Sequence, residues 1–184
     1  GFVLDYTISD NCGDSVSFIP LIDGVIDNLG KPPENVHSDG AYGGEENMSY
    51  LKKKKIKNFL KYNTYYKEKK RDWKNRLEGL TYNKKKDEFI CPSGIKLKFE
   101  KLREEITSTG YKRKAKIYRS EKGHCKKCPF HKSKAKSIQM SWKYEGLKKQ
   151  AKSNLDSAKG IELRKRRGNE LESVFGDKKL NNSK

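Results

Sequence analysis

The N-terminal part of the chain carries first a strand-like and then a helix-like hydrophobic pattern. Residues Phe2–Ile8 are rich in β-branched and aromatic side chains that alternate with polar ones, which predicts a strand. Apolar residues then recur at three- and four-residue steps from Phe18 to Leu29, which predicts a core helix. Ser17 can cap the start of this helix, and Gly30 can end it.

A single carboxylate, Asp39, stands between a short apolar approach and a glycine-rich turn. The turn runs from Gly40 to Gly44, and the stretch from Glu45 to Leu51 begins a second helix with its acidic residues in the first turn. Ile56–Leu60 predicts the next strand. Strand, helix, strand and helix in this order indicate an α/β layer. Such folds keep catalytic groups on loops at strand ends, so Asp39 is the first candidate site residue.

The pattern changes after this α/β segment. A basic run from Lys61 to Arg76 contains interleaved aromatic residues, which either stack on nucleic-acid bases or anchor a loop to the core. Alternation in Ile95–Phe99 and Tyr111–Tyr118 predicts a β-hairpin whose turn is Thr107–Gly110.

Two helices are predicted at the C-terminal end. Strong helix formers cover Lys143–Lys159, and Gly160 is expected to break this helix. A last helix is expected from Ile161 to about Phe175. Glu172 and Lys179 are seven residues apart and share a face if that helix continues.

Charge divides the 184-residue chain into two unlike parts. The first 50 residues contain one basic and nine acidic residues, a balance of −8, whereas the remaining 134 residues carry +27. A surplus of this size favours a nucleic-acid partner, and the alternative is a solvated lysine-rich surface. No apolar run reaches the roughly 20 residues that span a bilayer, and no basic and then apolar leader is present. We therefore predict a cytoplasmic protein with no membrane partner.

The cysteines suggest a second kind of site. Cys91, Cys125 and Cys128, together with His131 or His124, have the residue types of a tetrahedral zinc site. One Cys-x-x-Cys pair with a lone cysteine is an incomplete zinc pattern. The alternative is a set of reduced structural cysteines.

Four blocks of the chain together resemble the DDE transposases of bacterial insertion sequences, in the group with a cysteine-bearing insertion between the second and third catalytic carboxylates. In the order of that family they are Ser38–Asn47, Lys61–Thr64, Cys91–Gly94 with Cys125–Pro129, and Glu170–Gly176 with Lys179. The resemblance implies a transposase that acts on DNA, both transposon ends and target, and a homodimer in full-length members.

The resemblance also implies a fold and a set of site residues. The expected fold is α/β, a partial ribonuclease-H-like core of a mixed sheet with flanking helices, carrying a basic β-hairpin and cysteine insertion. By this match Asp39 and Glu172 are the second and third catalytic carboxylates and hold Mg²⁺ or Mn²⁺, with Glu170 as the fallback. Lys179 would contact DNA phosphate. Arg167, Lys61 and Tyr62 would add further DNA contacts.

Departures from the family pattern limit the expected activity. The first catalytic aspartate is expected upstream of Gly1, and Gly168 stands where the signature has an arginine. The chain also ends before the basic, aromatic continuation of the family. We expect a fragment that binds DNA but does not transpose by itself. The expected domains are a core at 1–60, a basic insertion at 61–142 and C-terminal helices at 143–184. The alternative functions are a non-catalytic nucleic-acid-binding module and the structural or unstable product of a decayed gene.

Overall fold

A computed structural model describes residues 3–8, 14–69, 79–123 and 135–166 of the chain. The described residues form two compact units. One combines the segments up to Asn63 with those from Gly146 onward, and the other is Thr64–Glu145. The domain boundaries expected from the sequence stay predictions, because a compact unit does not establish independent folding.

After its N-terminal segment, the first unit contains the predicted helix, strand, helix and strand. Its elements are α1 (Phe18–Leu29), β1 (Asn35–Ser38), α2 (Glu45–Lys53) and β2 (Lys57–Leu60). β1 and β2 pair in parallel, from Asn35 opposite Lys57 to Ser38 opposite Leu60. Gly30 ends α1 in the left-handed region at a φ of 67°, as expected of a helix C-terminus.

The core of this unit comes from α2, β2 and a long third helix, α3 (Trp142–Asp156), which begins in the second unit. The buried apolar residues lie three or four positions apart on α2 and α3 and next to each other on β2: Met48, Leu51, Phe59, Leu60, Leu147, Ala151 and Leu155. The Asn154 Nδ2 donates a hydrogen bond of 2.9 Å to the Asn58 carbonyl of β2. This bond links α3 to the parallel strands.

The second unit is a five-stranded antiparallel sheet in the order β3-β4-β5-β6-β7. Its strands are β3 (Thr81–Asn83), β4 (Glu88–Ile90), β5 (Lys96–Ile106), β6 (Lys112–Ser120) and β7 (Ser137–Met140). β5 and β6 form the predicted hairpin, which is longer than the alternating pattern suggested. The mixed α/β class is therefore confirmed, and the architecture is compatible with a ribonuclease-H-like core carrying a β-hairpin insertion.

The N-terminal strand prediction is wrong for the described residues 3–8, which adopt no regular secondary structure. Tyr6 and Ile8 are 76% and 86% exposed, so the apolar side chains have no sheet face to cover. The segment instead contacts α1, where the Asn28 side chain donates to the Leu4 carbonyl at 2.9 Å. Strand propensity describes fit to a pleated, half-buried surface, and no strand in the described part of the chain provides that surface for residues 3–8.

The predicted helix break at Gly160 is also wrong. The break lies at Ser157, and a fourth helix, α4, covers residues 158–166. The Ser157 Oγ accepts a hydrogen bond from the Gly160 N–H at 3.1 Å, as an N-terminal cap does. A β-carbon on Gly160 would lie 2.2 Å from the Asn154 carbonyl oxygen, so glycine permits close packing instead of ending the helix. Among the described residues, no helix is long and apolar enough to cross a membrane.

Candidate functional site

Asp39 lies directly after β1 and begins a short 3-10 turn, Gly40–Tyr42. Its backbone is extended, with φ −80° and ψ −172°, and its Oδ1 accepts a hydrogen bond of 3.2 Å from the Ala41 N–H. An aspartate that caps its own turn has a restricted side-chain direction. The sequence prediction of a carboxylate at a strand end, facing a glycine turn, is confirmed in its backbone geometry.

The turn after Asp39 is pressed against the chain that leaves β2. The Lys61 N–H donates to the Ser38 carbonyl at 3.4 Å, which extends the parallel pairing by one step. A β-carbon on Gly43 would lie 1.9 Å from the Lys61 carbonyl oxygen and 2.8 Å from the Tyr62 Cα. The φ of Gly43 is −76°, so space and not backbone conformation requires glycine here. Gly43 therefore sets how closely the Asp39 turn approaches the end of β2.

Asn47 holds the same turn from the other side. This α2 side chain is 4% exposed, and its Nδ2 donates to the Tyr42 carbonyl at 3.1 Å and to the Ser15 carbonyl at 3.2 Å. The Tyr42 ring also packs on Phe18, with ring centroids 5.6 Å apart. Sequence reasoning missed this role of Asn47, although a polar residue on the inward face of a short helix was a usable signal.

The predicted DNA-contacting residues Lys61 and Tyr62 differ in exposure. Lys61 is half-buried, whereas Tyr62 is only 4% exposed, with the Lys148 Nζ 5.7 Å from its ring centroid. Tyr65 is fully buried, and its neighbour Tyr66 is 56% exposed. Burial favours the loop-anchoring alternative for Tyr62 and Tyr65, and Tyr66 has the exposed ring that base stacking needs.

Cys91 is a buried thiol at a tight turn between β4 and β5. It is 7% exposed and belongs to an apolar cluster with Phe89, Leu97 and Tyr118. The other predicted site residues lie outside the described residues: Cys125, Cys128, His124, His131, Arg167, Glu170, Glu172 and Lys179. The zinc set and the carboxylate pair therefore stay predictions.

Asp87 is a polar centre of the second unit that sequence reasoning missed. Its carboxylate accepts hydrogen bonds from the Lys116 Nζ at 2.8 Å, the Tyr118 hydroxyl at 2.6 Å and the Tyr82 hydroxyl at 2.7 Å. The hydrogen bond from Lys116, followed by those from the two tyrosines, lowers the pKa of Asp87 to about 2. Burial, with the bond to Asp87, raises the pKa of Tyr118. This arrangement ties the β3–β4 turn to β6.

The donor chemistry at Asp39 suits a hard divalent cation, since carboxylate oxygens are the preferred ligands of Mg²⁺ and Mn²⁺. Within the described residues, no three His, Cys, Asp or Glu side chains group together as metal ligands.

The chain also matches a known protein family. Residues 90–183 match the model of the transposase DDE domain, just over half of the chain. No curated protein and no solved structure gives a match.

Proposed function

The chain belongs to the DDE-domain transposase family, and we propose that it takes part in two-metal phosphoryl transfer on DNA through Asp39 and Glu172. A transposase-type function and a DNA substrate follow from the family. The assignment of residues and of the metal mechanism is the proposal.

The observation that carries the proposal is the family match itself. It spans residues 90–183 and so includes Glu172 and Lys179. Asp39 lies before this range, and its support is geometric: the carboxylate follows a parallel strand and is oriented by its own turn. Carboxyl ends of parallel strands are where α/β folds bind ligands.

Asp39 and Glu172 would hold Mg²⁺ or Mn²⁺ through carboxylate oxygens. The chemistry that two divalent cations supply in such a site is neutralisation of charge on the attacking and leaving oxygens of the phosphate. Lys179, with Arg167 and Lys61, would bind DNA phosphates by charge-assisted hydrogen bonds and so orient the backbone for in-line attack. A homodimer, implied by the family resemblance, stays a prediction.

Manganese binding to the full chain tests the carboxylate pair without requiring turnover. Loss of an outer-shell partner alone costs about 10- to 100-fold in metal affinity. We therefore expect Asp39→Ala and Glu172→Ala each to weaken Mn²⁺ binding at least about 10-fold, measured by calorimetry or by the electron paramagnetic resonance of free Mn²⁺. Asp27→Ala is the matched control, because it removes an exposed carboxylate of α1 in the same unit.

Equal Mn²⁺ affinity in Asp39→Ala, Glu172→Ala and the parent chain would contradict the metal assignment. Salt-sensitive DNA binding that persisted in those variants would then favour the alternative, a non-catalytic nucleic-acid-binding module. Zinc is a separate proposal: Cys91 with Cys125, Cys128 and His131 would bind one Zn²⁺ per chain, which elemental analysis of the purified protein measures.

A further inference from the structure

The β5–β6 hairpin extends well beyond the other strands of its sheet. Among the residues of this hairpin, β4 pairs with Lys96–Lys98 and β7 pairs with Lys116–Arg119. Residues 103–106 of β5 and 112–115 of β6 therefore have only each other as strand neighbours among the described residues. We call residues 99–118 the hairpin arm.

The register sorts the side chains of the hairpin arm onto two faces. Side chains directly opposite each other in an antiparallel pair share a face. Phe99 lies opposite Tyr118, and a register shift follows between Phe99 and Lys101. Beyond the shift, three cross-strand pairs continue that face: Leu102 with Lys116, Glu104 with Lys114 and Ile106 with Lys112. We call this side of the arm the apolar–lysine face.

The apolar residues of this face are unusually exposed. Leu102 is 65% exposed and Ile106 is 69% exposed, while Phe99 is 44% exposed. Leu97, on the same strand and face, is fully buried in the apolar cluster of the sheet. Single exposed apolar residues are common on proteins, but a row of three on one strand face marks an interaction surface.

Charge indicates the kind of partner. Residues 96–120 contain nine basic and three acidic residues, a net charge of +6. On the apolar–lysine face, Lys114 pairs with Glu104 at 2.7 Å and Lys116 with Asp87 at 2.8 Å. Lys114 and Glu104 are 74% and 68% exposed, and pairs as exposed as this one hold their partners weakly. Such lysines can exchange a carboxylate for a phosphate, which favours a polyanion over an acidic or neutral protein.

We propose that the apolar–lysine face lies in the major groove of duplex DNA, with Lys112 and Lys114 on backbone phosphates and Leu102 and Ile106 against the base edges. A two-stranded ribbon fits this groove, which is about 12 Å wide, and thymine methyl groups offer apolar contacts on its floor. Six residues of strand extend about 20 Å, the length of about six base pairs. The choice of DNA rests on the proposed function, but the contact needs neither Asp39 nor metal.

Fluorescence anisotropy of the full chain on a labelled duplex of about 20 base pairs, two helical turns, tests the proposal without added Mg²⁺ or Mn²⁺ across a salt series. We expect Leu102→Ser/Ile106→Ser to weaken binding about 10-fold with an unchanged salt slope. Lys112→Ala/Lys114→Ala should lower the slope of log affinity against log salt by about 1.8, since each lost phosphate contact removes about 0.9. Far-ultraviolet circular dichroism checks that each variant is folded.

The matched control removes two charges from the opposite face of the same hairpin arm. Lys101 and Arg103 lie opposite Ile117 and Ala115, and Lys101→Ala/Arg103→Ala should leave most of the salt slope in place. An equal fall in slope for both double variants would overturn the proposal, because the attraction would then be diffuse.

Unchanged DNA affinity in Leu102→Ser/Ile106→Ser would also overturn the proposal. If that variant kept its DNA affinity but lost self-association, the face would serve a second copy of the chain instead of DNA. Because no Mg²⁺ or Mn²⁺ is added, failure of the Asp39 and Glu172 assignment cannot imitate either result.

Discussion

Gly43→Ala should separate the Asp39 turn from the end of β2. The added β-carbon would meet the Lys61 carbonyl oxygen at 1.9 Å, against a normal contact of about 3.5 Å between heavy atoms. The obstructing atoms belong to the backbone, so no side-chain rotation relieves the contact. The turn or the β2 end must therefore move by more than an ångström.

The size of the effect follows from known costs of overpacking. Inserting a methyl group into a packed site costs about 1–3 kcal/mol, and the rigid backbone contact places Gly43→Ala at about 3 kcal/mol. Replacing glycine also reduces the conformational entropy of the unfolded chain, which offsets about 0.4–1 kcal/mol. The net loss is about 2 kcal/mol, or a fall in Tm of about 4–8 °C for a chain of this length.

Urea unfolding followed by circular dichroism, with a thermal scan, measures this loss. Gly40→Ala is the matched control, because it is the same substitution in the same turn and its β-carbon would find its nearest neighbour, the Asn63 Oδ1, at 3.9 Å. We expect Gly40→Ala to change stability by less than about 1 kcal/mol. Mn²⁺ affinity should also fall in Gly43→Ala if Asp39 is a ligand, since the turn that orients its carboxylate is displaced.

Equal stability of Gly43→Ala and Gly40→Ala would refute this reasoning. It would mean that the turn has room to shift without losing contacts, and that the close approach at Lys61 does not hold the site. A loss of stability with an unchanged Mn²⁺ affinity would keep the packing argument and count against Asp39 as a metal ligand.

Two further predictions concern polar side chains. Asn47→Ala removes both hydrogen bonds of a buried side chain, including the one to Tyr42, and should destabilise the fold by about 1–3 kcal/mol while weakening Mn²⁺ binding. The control Asn154→Ala removes a bond to Asn58 away from the turn, so it should destabilise the fold without changing Mn²⁺ affinity. Equal losses of Mn²⁺ affinity in the two variants would count against a role of Asn47 in positioning Asp39. The pKa of Asp87 is about 2 in the folded chain against about 3.9 unfolded, so its stabilising effect is complete above about pH 4 and is lost as the pH falls toward 2. Asp87→Asn removes the titrating carboxylate and should therefore flatten the fall in unfolding free energy over that interval. Asparagine also tolerates the positive φ of 46°, so the substitution adds no backbone strain. An unchanged pH profile would contradict the assignment of this pH dependence to Asp87.

Much of the first unit was readable from local sequence. The apolar spacing of Phe18–Leu29 and the approach to Asp39 each encode one element, because helix and strand periods are properties of neighbouring residues. The long hairpin was likewise visible, since its strands alternate and a glycine turn joins them. The family resemblance also rested on local motifs, and the match over residues 90–183 bears it out.

Other features depended on which segments meet. β3, β4 and β7 have three or four residues each, too few to show a period, and pairing alone makes them strands. Residues 3–8 have strand propensity but find no strand partner in the described part of the chain. Propensity is a weak guide in such cases because the partner supplies most of the stabilisation.

The sequence by itself determined that Asp39 ends a strand before a glycine turn, since both features are local. Only the tertiary structure brings the Lys61 backbone against Gly43, which is why the turn needs glycine at that position. It also buries Asn47 beneath the turn. It also decided that Tyr62 packs inward while Leu102 stays exposed on the hairpin arm. Burial and close approach are set by residues distant in sequence, and no local pattern records those neighbours.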